Sequence, residues 1–465
     1  MSPAEPAAGE LVPVRFQAGD TGPASGVGPL SWGQYELWQV MREGPGWLPI
    51  GKVLPLPAGT TVAGAAEDLR FVMESYPSMR TRLRLGSGGD RDPVQVVSGA
   101  GEIGLEVLEA ADDADPAEVA NAVWWRYWRQ DYDFVGQWPL RMAVVRHRGV
   151  LTHRAWVMCH LVTDGAGARV ILAELAARDA SGSRAARSAL AQARWQRSPA
   201  GRRHCDSVLR RWERVLRGLP GRRFPVRTGT PYPRYWQGVL DSPATHLAAR
   251  RIAARTGVEV ASVLLGCFAV ALARVTGVNP VLCQPNVSNR FRPGLARTVS
   301  PVMQSGLCVL DVPDATVDEA VALARRRAIT AYKYAYYHPD RRDELIARLG
   351  DERGEPVDLG SAFNDRRLKP RDESGPPPTP DQIRAALPQG SFEWKHQQDD
   401  IEFHQLSVSV DDVPDTVRLT VTCDIHRVSP EDVAACVREL ETVAVAAALD
   451  PATRTRVPRP AVALT

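Results

Sequence analysis

The stretch Val157-Met158-Cys159-His160-Leu161-Val162-Thr163-Asp164-Gly165-Ala166-Gly167-Ala168-Arg169 joins two different hydrophobic periodicities. Upstream, Ala155 to Met158 is a short apolar run compatible with a strand. Downstream, Ala168 to Ala177 carries apolar residues at helical spacing. His160, Asp164 and Gly165 therefore stand where a strand ends and a helix begins. The start of a helix has N–H groups without intrahelical partners, and these can face developing negative charge. Gly165 and Gly167 permit sharp turning and close approach by a ligand. On this reading His160, Asp164 and Gly165 are candidate site residues that can reach a cleft. A lone His at a strand end also fits a structural role, so the motif needs support from the rest of the chain.

The 465 residues exceed what one small core organises, and two lobes are the natural expectation. A composition of 44% hydrophobic and 24% charged residues is that of a globular protein. The net charge of +3 gives no reason to invoke nucleic acid. No apolar run approaches the roughly 20 residues that span a bilayer, and Met1 to Glu10 lacks a secretory pattern. The expectation is a cytoplasmic protein with no membrane partner. The seven cysteines are scattered with no C-x-x-C pair, as reduced thiols would be. His396 and His404 lie in a polar stretch and read as surface residues, so no metal site is expected.

Residues 1–28, rich in Pro, Gly and Ala, read as a loose leader. Residues 29–185 form the N-terminal lobe carrying the His motif, residues 186–450 the C-terminal lobe, and residues 451–465 a frayed tail. Within the first lobe, Ser31 caps a helix bearing Gln34, Leu37 and Trp38. Thr61 to Tyr76 forms a second helix, stopped by Pro77. The Trp-rich helix Ala117 to Gln130 precedes a hairpin, Leu140 to His147 and Val150 to His160, whose second strand delivers His160. In the second lobe, Val260 to Val275 is apolar almost all round and therefore buried. Nine arginines against two acids fall between Gly201 and Arg227. They read as a solvated face, or more sharply as a docking patch for an acidic partner.

Several of these segments, taken in order, resemble the condensation domains of nonribosomal peptide synthetases and related acyltransferases. The signature His-His-x-x-x-Asp-Gly is matched from Cys159 to Gly165, with Cys159 in place of the first His and His160 in place of the second. Ser31, Gln34, Leu37 and Trp38 resemble the family's opening motif. Tyr76, Met79, Arg80, Thr81 and Leu83 resemble its His-x-x-Leu-Arg-Thr-x-Phe. Pro93-Val94-Gln95, Asp133-Phe134 and Pro139-Leu140-Arg141 have counterparts too. Asn289-Arg290 stands where the family has Gly-Arg. Gln304 and Ser305 stand where Asn and Thr are usual. The resemblance spans roughly residues 29 to 448, and the order of the motifs carries it.

The resemblance implies an α/β fold of two chloramphenicol-acetyltransferase-like lobes in a V arrangement. Each lobe is a mixed sheet flanked by helices, with a tunnel between the two. It implies a free-standing condensation enzyme with His160 as its catalytic residue. The enzyme would transfer an acyl group from a phosphopantetheine thioester on an acyl- or peptidyl-carrier protein. The acceptor would be a small-molecule or carrier-bound amine or alcohol. No cofactor is bound; the phosphopantetheine arrives on the partner. Asp164 reads as a structural strut paired with Arg290 rather than as a second acid. Cys159 neighbours His160 along a strand, so the two side chains point to opposite faces and form no dyad. It packs inward as a small hydrophobe. Gln304 and Ser305 are candidate substrate-channel residues. Two other functions fit the same residues: an acyltransferase using a coenzyme A thioester, and a non-catalytic recruitment domain.

Overall fold

The hairpin expected ahead of His160 forms, and the first sheet is built around it. The structure, a computed structural model, describes residues 9–19, 25–44, 46–86, 89–224, 231–367, 375–399 and 404–458. In chain order the first part contains β1 (Glu10–Gln17), β2 (Gly26–Pro29), α1 (Trp32–Glu43), β3 (Pro49–Pro55), α2 (Val62–Ser75), β4 (Thr81–Gly86), β5 (Gly89–Val97) and β6 (Ala100–Ala110). Then follow α3 (Pro116–Arg129), β7 (Leu140–His147), β8 (Val150–Cys159), α4 (Gly165–Ala177), α5 (Ser181–Arg184), α6 (Ala189–Arg197) and α7 (Pro199–Arg217). Five strands run in the order β1-β6-β7-β8-β3, and β2-β5-β4 make a smaller sheet. The β6–β7 pair is parallel and its neighbours are antiparallel, so the sheet is mixed.

Strand alternation sorts β8 between two apolar layers. Ala155, Val157 and Cys159 pack with Trp38 and Met41 of α1 and Val123 of α3. Trp156 and Met158 pack with Leu69, Val72 and Met73 of α2 and Ile171 of α4. Each such side chain taken fully out of water contributes about 1.5–3 kcal/mol. A one-residue slip of β8 would exchange the two sets, so its register is firmly set.

Beyond α7 the chain contains β9 (Tyr235–Ser242), α8 (Pro243–Thr256), α9 (Val260–Thr276), β10 (Val281–Val287), β11 (Gln304–Ser305), β12 (Cys308–Leu310), α10 (Val317–Lys333) and α11 (Pro339–Arg353). It ends with β13 (Ser361–Asp365), α12 (Pro380–Ala386), β14 (Ser391–Gln398), β15 (Leu406–Asp411), β16 (Val417–Asp424) and α13 (Pro430–Leu449). The sheet order is β11-β10-β13-β15-β16-β9-β14, with β12 also on β10. Helix α9 is buried from Val263 to Ala273, as its all-round apolarity requires.

The lobe limits differ from those expected. One compact unit comprises the residues up to Arg203 together with Ser288–Met303; the other comprises His204–Val287 and the residues from Gln304. The division falls inside α7, not at 185/186. Helix α6 stays with the first unit because Gln192 donates to Ser300 Oγ (2.8 Å) and Gln196 accepts from the Trp32 N–H (2.9 Å). Nor is the N-terminal stretch a loose leader throughout. Glu10–Gln17 pairs with β6 along its length, burying Val14 and Phe16. Residues 1–8 and 20–24 lie outside the described residues. The tail packs as far as Val457, whose carbonyl accepts from the Asp314 N–H (3.0 Å); residues 459–465 lie outside the described residues.

In the second unit, residues of the basic stretch form ion pairs with α11, a helix that the sequence reading did not identify, and with Glu355 just beyond it. Arg217 meets Glu213 and Glu352, Arg341 meets Asp206, and Arg222 meets Glu355. Arg217 and Arg222 are exposed, but Arg223 is buried and donates to the Pro280 and Pro220 carbonyls (3.1 and 3.0 Å), so a solvated face describes only part of the stretch. Arg227 lies outside the described residues.

Candidate functional site

Strand β8 ends at Cys159, and the chain turns at once, with the Val162 N–H donating to the Cys159 carbonyl (3.1 Å). His160 is the first residue beyond the strand. Its N–H donates to the Leu48 carbonyl (3.2 Å), and the Cys159 thiol donates to the Trp47 carbonyl (3.6 Å). The segment Trp47-Leu48 thus brackets the turn from outside. Leu48 sits at φ 46°, a left-handed conformation that a branched side chain rarely adopts. Sequence reasoning passed over this segment; no residue type in it signals a function.

Behind the turn, Trp47 stacks on Tyr132 (4.9 Å between centroids) and the Arg141 guanidinium lies 4.8 Å from the Trp47 ring centre. Arg141 also donates to the carbonyls of Tyr127 and Asp131, at 2.9 and 2.6 Å. It belongs to the scaffold of the turn.

Cys159 is fully buried, and burial pushes its thiol up to about 12. A thiol held neutral in an apolar layer is no nucleophile. His160 is half-buried. Its Nδ1 is buried without a hydrogen-bond partner among the described residues. No carboxylate or carbonyl there fixes the tautomer, unlike the orienting Asp of a triad.

Asp164 caps α4, accepting from the Gly167 N–H at 2.7 Å. The same Oδ1 accepts from Arg290 Nη2 at 2.5 Å, and Oδ2 is 3.4 Å from the Val302 N–H. Arg290 Nη1 also donates to the Thr298 carbonyl (2.7 Å). Both side chains of the pair are nearly excluded from water, at 8% exposure for Asp164 and 12% for Arg290. Asn289, where the resemblance leads one to expect Gly, adopts φ 55° and donates to the Val302 carbonyl (3.0 Å). Asn is among the few non-glycine residues that take this conformation readily, so the departure keeps the backbone.

Gly165 opens α4 and is exposed, and a Cβ there would meet nothing within 4 Å. A Cβ on Gly167 would lie 2.4 Å from Thr163 Oγ1 and 3.5 Å from Val299 Cα. The two glycines therefore serve different ends. Gly167→Ala is expected to cost about 1–3 kcal/mol through overpacking. Gly165→Ala should leave stability unchanged or slightly raised, since Ala is the better helix former. Urea midpoints of the two variants check this; equal destabilisation would remove the distinction.

The two candidate channel residues, Gln304 and Ser305, both contact Tyr337. Gln304 is buried and grips the Tyr337 backbone from both ends of its amide, at 3.0 and 3.1 Å. It is a brace within the second unit. Ser305 is half-buried, with Oγ 3.4 Å from Asn286 Oδ1, and its carbonyl accepts from the Tyr337 hydroxyl (2.9 Å).

His396 is exposed as expected, while His404 is half-buried. Burial, with Arg342 nearby, pushes its imidazole down to about 4, and Gln284 Nε2 lies 3.5 Å from its Nδ1. The ring is therefore neutral in the folded chain at pH 5, while an unfolded His, with its pKa near 6.5, is charged. Stability from this group is complete above about pH 6.5 and is lost as the pH falls toward 4. The loss is expected to be about 1–3 kcal/mol. Urea midpoints at pH 7 and pH 5 check it: His404→Gln should show a smaller drop than wild type, and an identical drop would contradict it.

A further network also escaped the sequence reading. Glu174 of α4, buried, accepts from the Tyr76 hydroxyl (2.9 Å) and from Arg297 Nη2 (2.7 Å). Burial first, and the Glu174 charge second, raise the Tyr76 phenol well above its ordinary value. The one signal was a lone acid inside the apolar run Ala168 to Ala177.

The comparisons place this geometry. The family model described as "Condensation domain" matches residues 65–338. No curated protein matches the chain. Among solved structures, the condensation domain of chain release from the enacyloxin polyketide synthase shares 21% identity, with a TM-score of 0.68, over 94% of this chain and 84% of that one. The condensation domain of the monacolin K polyketide synthase MokA gives 16% identity and a TM-score of 0.69, over 92% and 99% of the two chains. SgcC5 of Streptomyces globisporus gives 17% and 0.66, over 92% and 100%. At these identities the structures speak for the fold. The family model covers more than half of the 465 residues, and with it the His160–Asp164 turn and the Arg290 brace: the chain belongs to the condensation domain family.

Proposed function

We propose that the chain is an acyltransferase that forms an amide or ester bond. It takes the acyl group from a phosphopantetheine thioester on a carrier protein and passes it to an amine or hydroxyl acceptor. The acceptor heteroatom attacks the thioester carbonyl carbon and gives up a proton. The C–S bond then breaks and the thiol leaves protonated. The observation that carries the reading is His160: a half-buried imidazole one residue past a strand end, beside a helix start that Asp164 and Arg290 hold in place. That ring can hydrogen-bond the attacking group and relay its proton. The N–H of Gly167 is already engaged by Asp164. The exposed helix start at Gly165 is therefore the part of the loop left to face the oxyanion.

The test is transfer from an acyl-loaded carrier protein to an amine, followed by mass spectrometry, with the same acyl group offered in parallel on coenzyme A. Product from the carrier in preference to coenzyme A supports the reading. Preference for coenzyme A would replace the donor, and no product from either would leave a recruitment domain of the same fold.

A further inference from the structure

The first unit holds a cavity of about 360 Å³ whose lining includes neither His160 nor Asp164. Ser75, Tyr76, Ser78, Arg80, Ala189, Thr298 and Val299 are its buried residues, while Gln17, Gly19 and Arg184 are exposed and mark its mouth. Arg80, Arg184 and Arg187 line it against a single acid, Glu74, whose Oε1 already accepts from the Gln17 N–H (3.1 Å). Arg187 lies over the Trp195 ring, 5.7 Å from its centre. Among the described residues neither Arg187 nor Arg184 forms an ion pair. The Ser75 and Ser78 hydroxyls are buried and have no hydrogen-bond partner among the described residues. Leaving a buried hydroxyl unmatched is unfavourable, and a serine turns between staggered rotamers at little cost. The remaining wall sets Ala18, Pro77, Ala186, Ala189, Ala191 and Val299 beside Ser183, Ser188 and Thr298, whose hydroxyls are already engaged with Glu174, the Ala191 N–H and the Arg187 carbonyl.

We propose that this cavity binds a small organic acid. Its carboxylate faces the arginines at the mouth, its compact apolar body lies along the alanine, proline and valine wall, and the two serines supply hydrogen bonds at depth. The volume lies near the lower end of the roughly 300–1,000 Å³ of known ligand sites. Positive charge alone would suit inorganic phosphate equally, but phosphate has nothing to cover the apolar wall. The site is next to the brace of the catalytic turn: Val299 and Thr298 line it, and the Thr298 carbonyl accepts from Arg290. The binding claim stands apart from the acyl-transfer reading, since it needs no turnover.

The full-length protein is titrated calorimetrically with benzoate, benzamide and inorganic phosphate, beside Arg187→Gln and Ala186→Phe. Circular dichroism establishes that the variants are folded. Benzoate is expected to bind saturably at one site. Benzamide, and benzoate on Arg187→Gln, should bind about tenfold or more weakly, because charge-assisted hydrogen bonds are lost. Ala186→Phe, which fills the cavity from its half-buried side, should abolish binding. No saturable benzoate binding, equal affinity for benzamide, or an unchanged Arg187→Gln variant overturns the proposal. Phosphate binding in place of benzoate also overturns it. If Ala186→Phe does not fold, the Arg187→Gln comparison alone decides.

Discussion

Asp164→Asn is expected to yield little folded protein, losing about 3–5 kcal/mol. Asn can still cap α4, because its side-chain oxygen accepts from the Gly167 N–H as the carboxylate does. What it cannot do is neutralise Arg290, which would remain charged at 12% exposure. The Arg290 contact to the Thr298 carbonyl solvates part of that charge, which places the loss toward the lower end. Against a total stability of roughly 5–15 kcal/mol, even that end is severe. Arg290→Gln in the same chain should recover part of the loss, because the stranded charge is then gone. Soluble yield and urea midpoints of the single and double variants measure this. A soluble Asp164→Asn protein with the wild-type midpoint would show that the pair is not a strut.

His160→Ala should fold normally and transfer acyl groups more slowly, by a factor of about 10²–10⁴. The structure narrows that range by acceptor. No group among the described residues orients the ring through Nδ1. The imidazole therefore lacks the partner that gives a triad histidine its full effect. An amine attacks without much help from a base, so the loss should be near 10². A hydroxyl depends on proton removal, and its loss should be nearer 10⁴. Single-turnover rates with a matched amine and alcohol separate the two. Equal rates for wild type and His160→Ala with both acceptors would move the chemistry to other groups.

Much of the fold was open to inspection in the residues because local rules governed it. Thr61 and Asp164 cap the helices that follow them. Helices α8 and α13 and strand β16 have the limits that apolar spacing and Pro placement suggest. Ser31 and Gln34 form a reciprocal capping box. Other elements were hidden. Strand β1 lies in a stretch whose Pro and Gly content suggests looseness, and its stability comes from pairing with β6, about ninety residues on. Helix α11 is strongly charged, and pairs such as Arg341–Asp206 join it to α7.

The sequence by itself determined the strand-to-helix turn and the place of His160 on it, because each follows from a period of two or of 3.6 residues. Tertiary structure alone decided which distant groups meet there. It closed the Trp47-Leu48 segment over the turn, committed Gln304 to a backbone, and left His160 Nδ1 without a partner among the described residues. The reason is physical: periodicity tells a side chain which way to face, but the partner it finds depends on how separate segments pack.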